Sequence, residues 1–482
     1  MFYGREEHFE RFGALWRKGV PSFVVCRGRR RIGKSTLIER FAMTSGARFV
    51  KIEGLAPDEG MTNRKQLDNF GERLARISGR KVGRVASWED AFEKLDSILG
   101  NSGRTVVLLD EISWMGGYDK TFPAKLKVAW DNLFHARRNL IVFVCGSVSA
   151  WIHRNILKSH GFVGRISLDT VVTELPLREC VKFWGRKASR LPMRDILDVL
   201  SVTGGVPRYL EEVDPSLSAD ENIRRMCFLP DGYLFREFGE LFNDVISGRA
   251  PVKRALLEAL VEGPRSGVEL AEKLGLPRNG HLTALLDELE ISGFVAKENG
   301  LNPETGKRCR VDRYRIRDNY TRFFLRYIAP RRTEIEQGAF GFSSVTVLPG
   351  WEAVMGLQFE NLVINNFREL LPHVGLGNKL FVSAAPYRAV RPSTGGGCQI
   401  DFLIQTAHAL NVVEIKRKSR IGSEVEEQVR QKLVRLPRRR DAALRTILVY
   451  DGELSPAVEA SDFFDFVVPA GALLNLSGTV QA

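Results

Sequence analysis

No apolar run in this 482-residue chain approaches the roughly 20 residues needed to cross a bilayer, so no membrane-spanning helix and no membrane partner are expected. The opening Met1-Phe2-Tyr3-Gly4-Arg5-Glu6-Glu7 lacks the apolar stretch of a secretory signal, which points to a cytoplasmic protein. Cysteine is sparse. Cys26, Cys145, Cys180, Cys227, Cys309 and Cys398 are scattered, with no C-x-x-C pair. That argues against a disulfide framework and against a cysteine-ligated zinc site. Acid is the scarcer charge: 58 Asp and Glu against 71 Lys and Arg leave a net +13. The surplus favours a polyanionic partner such as nucleic acid, with DNA preferred, although a solvated basic surface accounts for it equally well. With 44% hydrophobic and 27% charged residues, the chain has the make-up of two to four globular domains.

What is present is concentrated first at Gly28-Arg29-Arg30-Arg31-Ile32-Gly33-Lys34-Ser35-Thr36. The spacing G-x-x-x-x-G-K-[ST] is that of a phosphate-binding loop. Pro21 to Cys26 before it reads as a buried strand, and Thr36 to Phe41 after it reads as a helix. Strand, glycine loop and helix together direct backbone N–H groups and a helix N-terminus at phosphate oxygens. Lys34 then reaches the β- and γ-phosphates of ATP, and the Ser35 hydroxyl ligates Mg²⁺. A second strand is expected at Ala47 to Glu53, and two helices within residues 61–100. Arg104-Thr105-Val106-Val107-Leu108-Leu109-Asp110-Glu111 is a buried parallel strand with two acids at its carboxyl end. Ligands of such sheets gather beyond the strand ends. Asp110 is placed to hold Mg²⁺ through water, and Glu111 to polarise the attacking water.

Three further features follow. Asn139 to Ser147 is a strand ending in a polar residue. Arg165, in Gly164-Arg165-Ile166, reads as an arginine finger in cis or on a neighbouring subunit, the latter requiring a homo-oligomer, or as an ordinary surface arginine. Thr203-Gly204-Gly205-Val206-Pro207-Arg208-Tyr209-Leu210 breaks a helical region. It either lays Pro207 on an adenine ring and Arg208 near phosphates, or is a plain interhelical turn.

In that order, these segments resemble the archaeal-type ATPases, P-loop proteins of the AAA-like signal-transduction (STAND-type) group. The resemblance covers about residues 1–330. It implies an α/β core with a parallel P-loop NTPase sheet, a helical lid and a winged helix, and it makes Ser147 a polar sensor. The implied nucleotide-binding set is Gly28, Arg29, Ile32, Gly33, Lys34, Ser35, Thr36, Asp110, Ser147, Pro207 and Arg208, with ATP and Mg²⁺ as cofactors. Lys34, Glu111 and Arg165 are the catalytic candidates.

Residues 213–250 read as the lid and residues 251–330 as a winged helix-turn-helix. Amphipathic helices begin near Val252, Ser266 and Asn279, and strands at Phe294 to Lys297 and Arg310 to Ile316 form the wing. Lys307, Arg308, Arg310 and Arg313 are suited to nucleic-acid phosphates, whereas Asp287, Glu288 and Glu290 on the third helix oppose DNA. Asn319 to Tyr327 is an aromatic core helix. Residues 331–350 form a linker.

A second acidic constellation lies in residues 351–482. Glu360 sits on a helix, Asp401 on the strand Gln399 to Ile404, and Glu414 with Lys416 on the strand Ala409 to Lys416. In a hairpin of these strands the two acids converge, and Glu414 and Lys416 share a face. Gln428 and Lys432 follow on one face of a helix. The order resembles the PD-(D/E)xK nucleases, which implies an α/β restriction-endonuclease-like domain. In that reading Glu360, Asp401 and Glu414 bind Mg²⁺, and Asp401, Glu414 and Lys416 carry phosphodiester cleavage. Lys418, Arg420 and Arg438-Arg439-Arg440 would grip the backbone. The whole chain then reads as an ATP-hydrolysing switch coupled to a nuclease-like effector. The alternative is a non-nucleolytic ATP-dependent regulator that binds DNA or protein through its winged helix.

Overall fold

The computed structural model describes residues 2–475, apart from 101–102, 148, 246–249, 310, 342, 378, 390–396 and 440. Arg310, Arg440 and the lid's end at 246–249 therefore lie outside the described residues. The chain forms two compact units: residues 4–174 with 243–247, and residues 1–3, 175–242 and 248–482.

The first unit is built on a parallel sheet of five strands among the described residues, in the order β2-β3-β4-β1-β5. These are β1 (Ser22–Arg27), β2 (Arg48–Glu53), β3 (Thr105–Asp110), β4 (Leu140–Gly146) and β5 (Ile166–Val171). Every residue of β3 and β4 is buried, because helices cover both faces of the sheet. This is why both read as unbroken apolar runs instead of alternating ones. On one face Phe23, Trp88, Phe92, Phe122, Trp130 and Phe134 pack into one cluster. The helices Asn63–Ser78 and Trp88–Ile98 begin where Thr62 and Ser87 accept N–H groups of the first turn. Glu53 stands beside Asp110, and Arg27 beside Gly146, so the carboxyl ends of β2, β3, β4 and β1 lie side by side.

The second unit opens with the helices Met193–Thr203, Ala219–Cys227 and Tyr233–Val245. Residues 175–242 cluster with this unit, and buried polar contacts hold their helices to it. Arg417 Nη2 lies 2.6 Å from Asp198 Oδ1 with a side chain 1% exposed, and Ser201 O accepts from Asn319 Nδ2 and Gln358 Nε2, each at 2.9 Å. Next come the helices Ala250–Ala259, Gly267–Leu274 and Gly280–Ile291, with a small antiparallel sheet in the order β6-β8-β7. Its strands are β6 (Arg265–Ser266), β7 (Val295–Glu298) and β8 (Arg313–Ile316). Ser266 and Glu269 form a capping box, and Asn279 accepts from the N–H groups of His281 and Leu282. Tyr320, Phe323 and Phe324, on and just after the helix Asn319–Phe323, are buried, as expected of core.

The rest of the unit runs helix, three strands, helix, two strands. The helix Trp351–Asn365 is followed by β9 (Ser383–Ala389), β10 (Cys398–Gln405) and β11 (Ala409–Ile421). The helix Glu424–Arg435, β12 (Ala443–Leu454) and β13 (Phe466–Pro469) complete it. Strands β9, β10 and β11 are antiparallel neighbours, whereas β11, β12 and β13 run parallel. The β10–β11 hairpin pairs Phe402 with Val413, which brings Asp401 next to Glu414.

Candidate active sites

At the end of β1 the chain turns through Gly28 at φ 149°, where a Cβ would stand 2.3 Å from Val172 O. Only glycine lets β1 pass this close to its neighbour. Ile32, fully buried, anchors the loop. Arg31 and Gly33 adopt left-handed backbone just before the helix Lys34–Thr44. Arg29 is buried, Ser35 half-buried and Thr36 exposed. Lys34 is 7% exposed. Its Nζ donates to Gly28 O at 3.0 Å and to Arg29 O at 2.9 Å, so the ammonium folds back into the loop.

Ser35 Oγ donates to Asp110 Oδ2 at 2.7 Å, which joins the loop to the end of β3. Hydroxyl and carboxylate side by side are the hard oxygen donors that Mg²⁺ takes, and the residues fit that ion. Lys51 Nζ lies 3.0 Å from the same Asp110 oxygen. Burial pulls the Lys51 ammonium down, but Asp110 and Glu53 together hold it above the ordinary lysine range. The sequence reading missed Lys51. Its signal, a lysine two residues before the end of β2, becomes visible only once β2 is known to flank β3.

Glu111 follows in left-handed backbone at φ 49°. Its Oε2 accepts from both the N–H and the hydroxyl of Ser147, each at 2.9 Å. Burial pushes the Glu111 carboxyl above its ordinary range, against the pull of Lys34 and Ser147. A carboxylate with a raised pKa is a stronger proton acceptor.

Arg165 lies away from the loop. Arg165 precedes β5, whose Ile166 pairs with Phe23 near the start of β1. It is therefore at the opposite end of the sheet from the loop, about 17 Å along five residues of strand. Its guanidinium grips Asp131 in two-point fashion, at 2.7 and 2.9 Å. The Asp131 carboxyl is held down at about 2 by that contact first. An action in cis is thereby corrected: strand direction carries Arg165 away from the site. Pro207 and Arg208 belong to the second unit. Pro207 starts the one-turn helix Pro207–Leu210. Arg208 pairs with Glu211 at 3.1 Å and Glu212 at 2.6 Å and lies over the Tyr233 ring.

The second unit holds its own acidic site. Asp401 Oδ2 accepts from the Ile415 N–H at 3.0 Å. Glu414 is fully buried, with Lys416 Nζ 2.7 Å from Oε1 and Lys432 Nζ 2.5 Å from Oε2. Lys432 also reaches Asp401 Oδ1, at 3.3 Å. Its ammonium is lowered by burial and raised further by Asp401 and Glu414, for a net rise. Gln428, one turn earlier, is exposed, so the helix Glu424–Arg435 presents Lys432 to the acids instead.

Glu360, on the helix Trp351–Asn365, is pushed up to about 7 by burial and then by the Asp401 charge, against Arg322 and Arg315. Among the described residues no three acidic, histidine or cysteine side chains are gathered to hold a metal ion. Of the expected set, Asp401 and Glu414 share one lysine ammonium, whereas Glu360 feels the Asp401 charge and lies near Arg322 and Arg315. The pair's hard oxygens, already converging on one cation, fit Mg²⁺.

The basic side chains of residues 308–315 are partly turned inward. Arg313 grips Glu269, Arg315 is buried against Asn361 and Asn365, and Arg308 donates to Asn299. Among the described residues no helix is long and apolar enough to cross a membrane.

Residues 2–213 match the family model of an ATPase domain found predominantly in Archaea. An uncharacterized protein of Methanocaldococcus jannaschii is 21% identical over 383 residues, 79% of each chain. Among solved structures, a Walker-type ATPase of Pyrococcus abyssi is similar at 18% identity and a TM-score of 0.50, covering 67% of this chain and 96% of that one. The ORC2 protein of Aeropyrum pernix, solved in ADPNP–ADP complexes, is 13% identical over 69% of this chain and 94% of that one, with a TM-score of 0.44. The chain carries an archaeal-type P-loop ATPase domain with the parallel α/β sheet of that class.

Proposed function

We propose that the archaeal-type P-loop ATPase domain of this chain is the driver of a switch whose output is a Mg²⁺-dependent nuclease-like domain acting on nucleic acid, DNA above RNA. The observation that carries the reading is the acidic pair Asp401 and Glu414 meeting Lys416 across a hairpin. It sits in a helix–three strands–helix–strand order that resembles the PD-(D/E)xK nucleases.

At the first site, Lys34 exchanges the loop carbonyls for β- and γ-phosphate oxygens when ATP binds, and backbone N–H groups of residues 28–33 line the phosphates. Ser35 and Asp110 would hold Mg²⁺, which would offset charge on those oxygens. Glu111, oriented by Ser147, takes the proton of the water that attacks the γ-phosphorus as the bond to ADP breaks.

At the second site, Asp401 and Glu414 would hold Mg²⁺, which would supply a more acidic water and charge neutralisation at the scissile phosphate. Lys416, its Nζ 2.7 Å from Glu414 Oε1, would orient that water and steady negative charge as it develops. The three helices and the small sheet of residues 251–330 support a winged-helix reading, with the segment acting as a lid or docking module. Its inward-turned Arg313 and Arg315 weigh against DNA reading by the wing.

The non-nucleolytic regulator remains a second reading, favoured by one observation: Asp401 and Glu414 are already neutralised by lysines. Phosphate release and nucleic-acid cleavage by the purified chain test both readings. Lys34→Ala should abolish ATP hydrolysis, and hydrolysis at the wild-type rate in that variant would refute the site. Cleavage with Mg²⁺ that chelator stops supports the nuclease; none with any DNA or RNA supports the regulator.

A further inference from the structure

Lys432 has no part in the chemistry set out above, yet it is the most central side chain of the second site. Its Nζ lies 2.5 Å from Glu414 Oε2 and 3.3 Å from Asp401 Oδ1. The remaining oxygens are also taken: Ile415 N–H donates to Asp401 Oδ2 at 3.0 Å, and Lys416 Nζ lies 2.7 Å from Glu414 Oε1. Three of the four carboxylate oxygens accept a hydrogen bond from this chain, the fourth, Glu414 Oε1, has the Lys416 ammonium within ion-pair range but no hydrogen bond, and the space between the two acids belongs to an ammonium. A divalent ion needs those same oxygens at about 2.0–2.6 Å. Two cations cannot share them at that range, because their repulsion in a poorly solvated site exceeds what either gains.

We propose that Lys432 is a built-in counter-ion that keeps divalent metal out of the Asp401–Glu414 pair until a phosphodiester gives it a new partner. The inference rests on the metal-dependent nuclease reading of this site. Charge balance supports it. With both lysines seated, the two acids and two ammonium groups are neutral. Adding a doubly charged ion while Lys432 swings aside leaves two net positive charges around the pair, of which a phosphodiester beside Lys432 offsets one, so the exchange is favoured only where nucleic-acid phosphate is present. Geometry supports it too. Lys432 stands on a helix at the rim with its side chain 21% exposed, and a four-carbon stem lets the ammonium swing from carboxylate to phosphate. Buried Glu414 has no such freedom, with its side chain 0% exposed. Metal loading and nucleic-acid binding then become cooperative, since each favours the state in which Lys432 has left the acids.

The test is Mn²⁺ binding to the full chain without nucleotide, followed by electron paramagnetic resonance and calorimetry. Lys432→Met is expected to bind Mn²⁺ at least about tenfold tighter than wild type, because its competitor is gone. Lys432→Arg, which keeps the charge, should show no gain. Adding Asp401→Asn to Lys432→Met should erase the gain, which assigns the ion to this pair. Lys432→Gln serves in place of Lys432→Met if the latter folds poorly, with the same expectation, and Mn²⁺ should raise its melting midpoint more than that of wild type. Folded variants that bind Mn²⁺ no tighter than wild type, or a gain that survives Asp401→Asn, overturn the proposal. A gain without cleavage of any nucleic acid leaves the gate standing and fails the nuclease reading. Cleavage by wild type without a gain in the variants does the reverse.

Discussion

Two acidic pairs, Asp110 with Glu111 and Asp401 with Glu414, are neutralised in opposite ways, and the contrast indicates what each is suited to. In the first unit the acids are consecutive at the end of β3, and the left-handed turn at Glu111 sends them to different partners. Asp110 meets a hydroxyl and Lys51. Glu111 accepts from the N–H and hydroxyl of Ser147 and feels the Lys34 ammonium without an ion pair to it among the described residues. Burial therefore raises its pKa, which suits a proton acceptor. In the second unit the acids come from neighbouring antiparallel strands and share one ammonium, with another on the far oxygen of Glu414. Full charges at this range suit a site that holds and exchanges cations.

The largest expected effects break that contrast in two directions. Glu111→Gln should lower kcat for ATP hydrolysis about 10²–10⁴-fold while leaving nucleotide binding in place, as read by phosphate release and calorimetry. Asp401→Asn should abolish Mg²⁺-dependent cleavage and leave ATP hydrolysis at the wild-type rate. Loss of both activities in either variant would break the separation of the two sites.

Stability comes next. Gly28→Ala places a Cβ 2.3 Å from Val172 O, and Gly452→Ala places one 1.8 Å from Lys418 O, both at positive φ. Each should lower unfolding stability by about 2–3 kcal/mol, measured by chemical denaturation. A neutral result would mean that these close approaches relax freely.

A smaller effect concerns pH. Glu360 is raised from 4.5 to about 7, so the folded chain binds a proton there that the unfolded chain lacks between those values. Stability from this group is present below pH 4.5 and falls as pH rises to about 7. Glu360→Gln should remove that fall, a relative gain of about 1–2 kcal/mol at pH 8 over pH 5 in melting experiments. An identical pH profile for both proteins would contradict the buried setting.

The smallest effect is Arg165→Ala. Loss of its part-exposed pair with Asp131 should cost under about 1 kcal/mol and leave hydrolysis by the isolated subunit unchanged. A rate loss that appears only at high protein concentration would assign Arg165 to a neighbour's site.

The parallel sheet was legible because burial on both faces leaves apolar runs, and the loop because its glycines and lysine are fixed by phosphate geometry. Strand β5 was not, since Ile166-Ser167-Leu168-Asp169-Thr170-Val171 alternates like any edge strand. The two-residue β6 is too short to leave a pattern. Asp401, Glu414 and Lys416 were legible through strand alternation. Lys51 and Lys432 were not assigned roles, because each meets its acid across an element boundary that only pairing and packing define. The buried partners of the helix Met193–Thr203, such as Arg417 and Gln358, were hidden for a similar reason: they lie more than 150 positions away.

The coupling of an ATPase domain to a nuclease-like output is tested most directly by cleavage of DNA and RNA by the purified chain. The assay uses Mg²⁺, with and without ATP and chelator, beside Asp401→Asn. The expected result is cleavage that ATP accelerates, that chelator stops and that Asp401→Asn abolishes while still hydrolysing ATP. No cleavage under any condition by a protein that hydrolyses ATP, or cleavage that Asp401→Asn leaves intact, would contradict it.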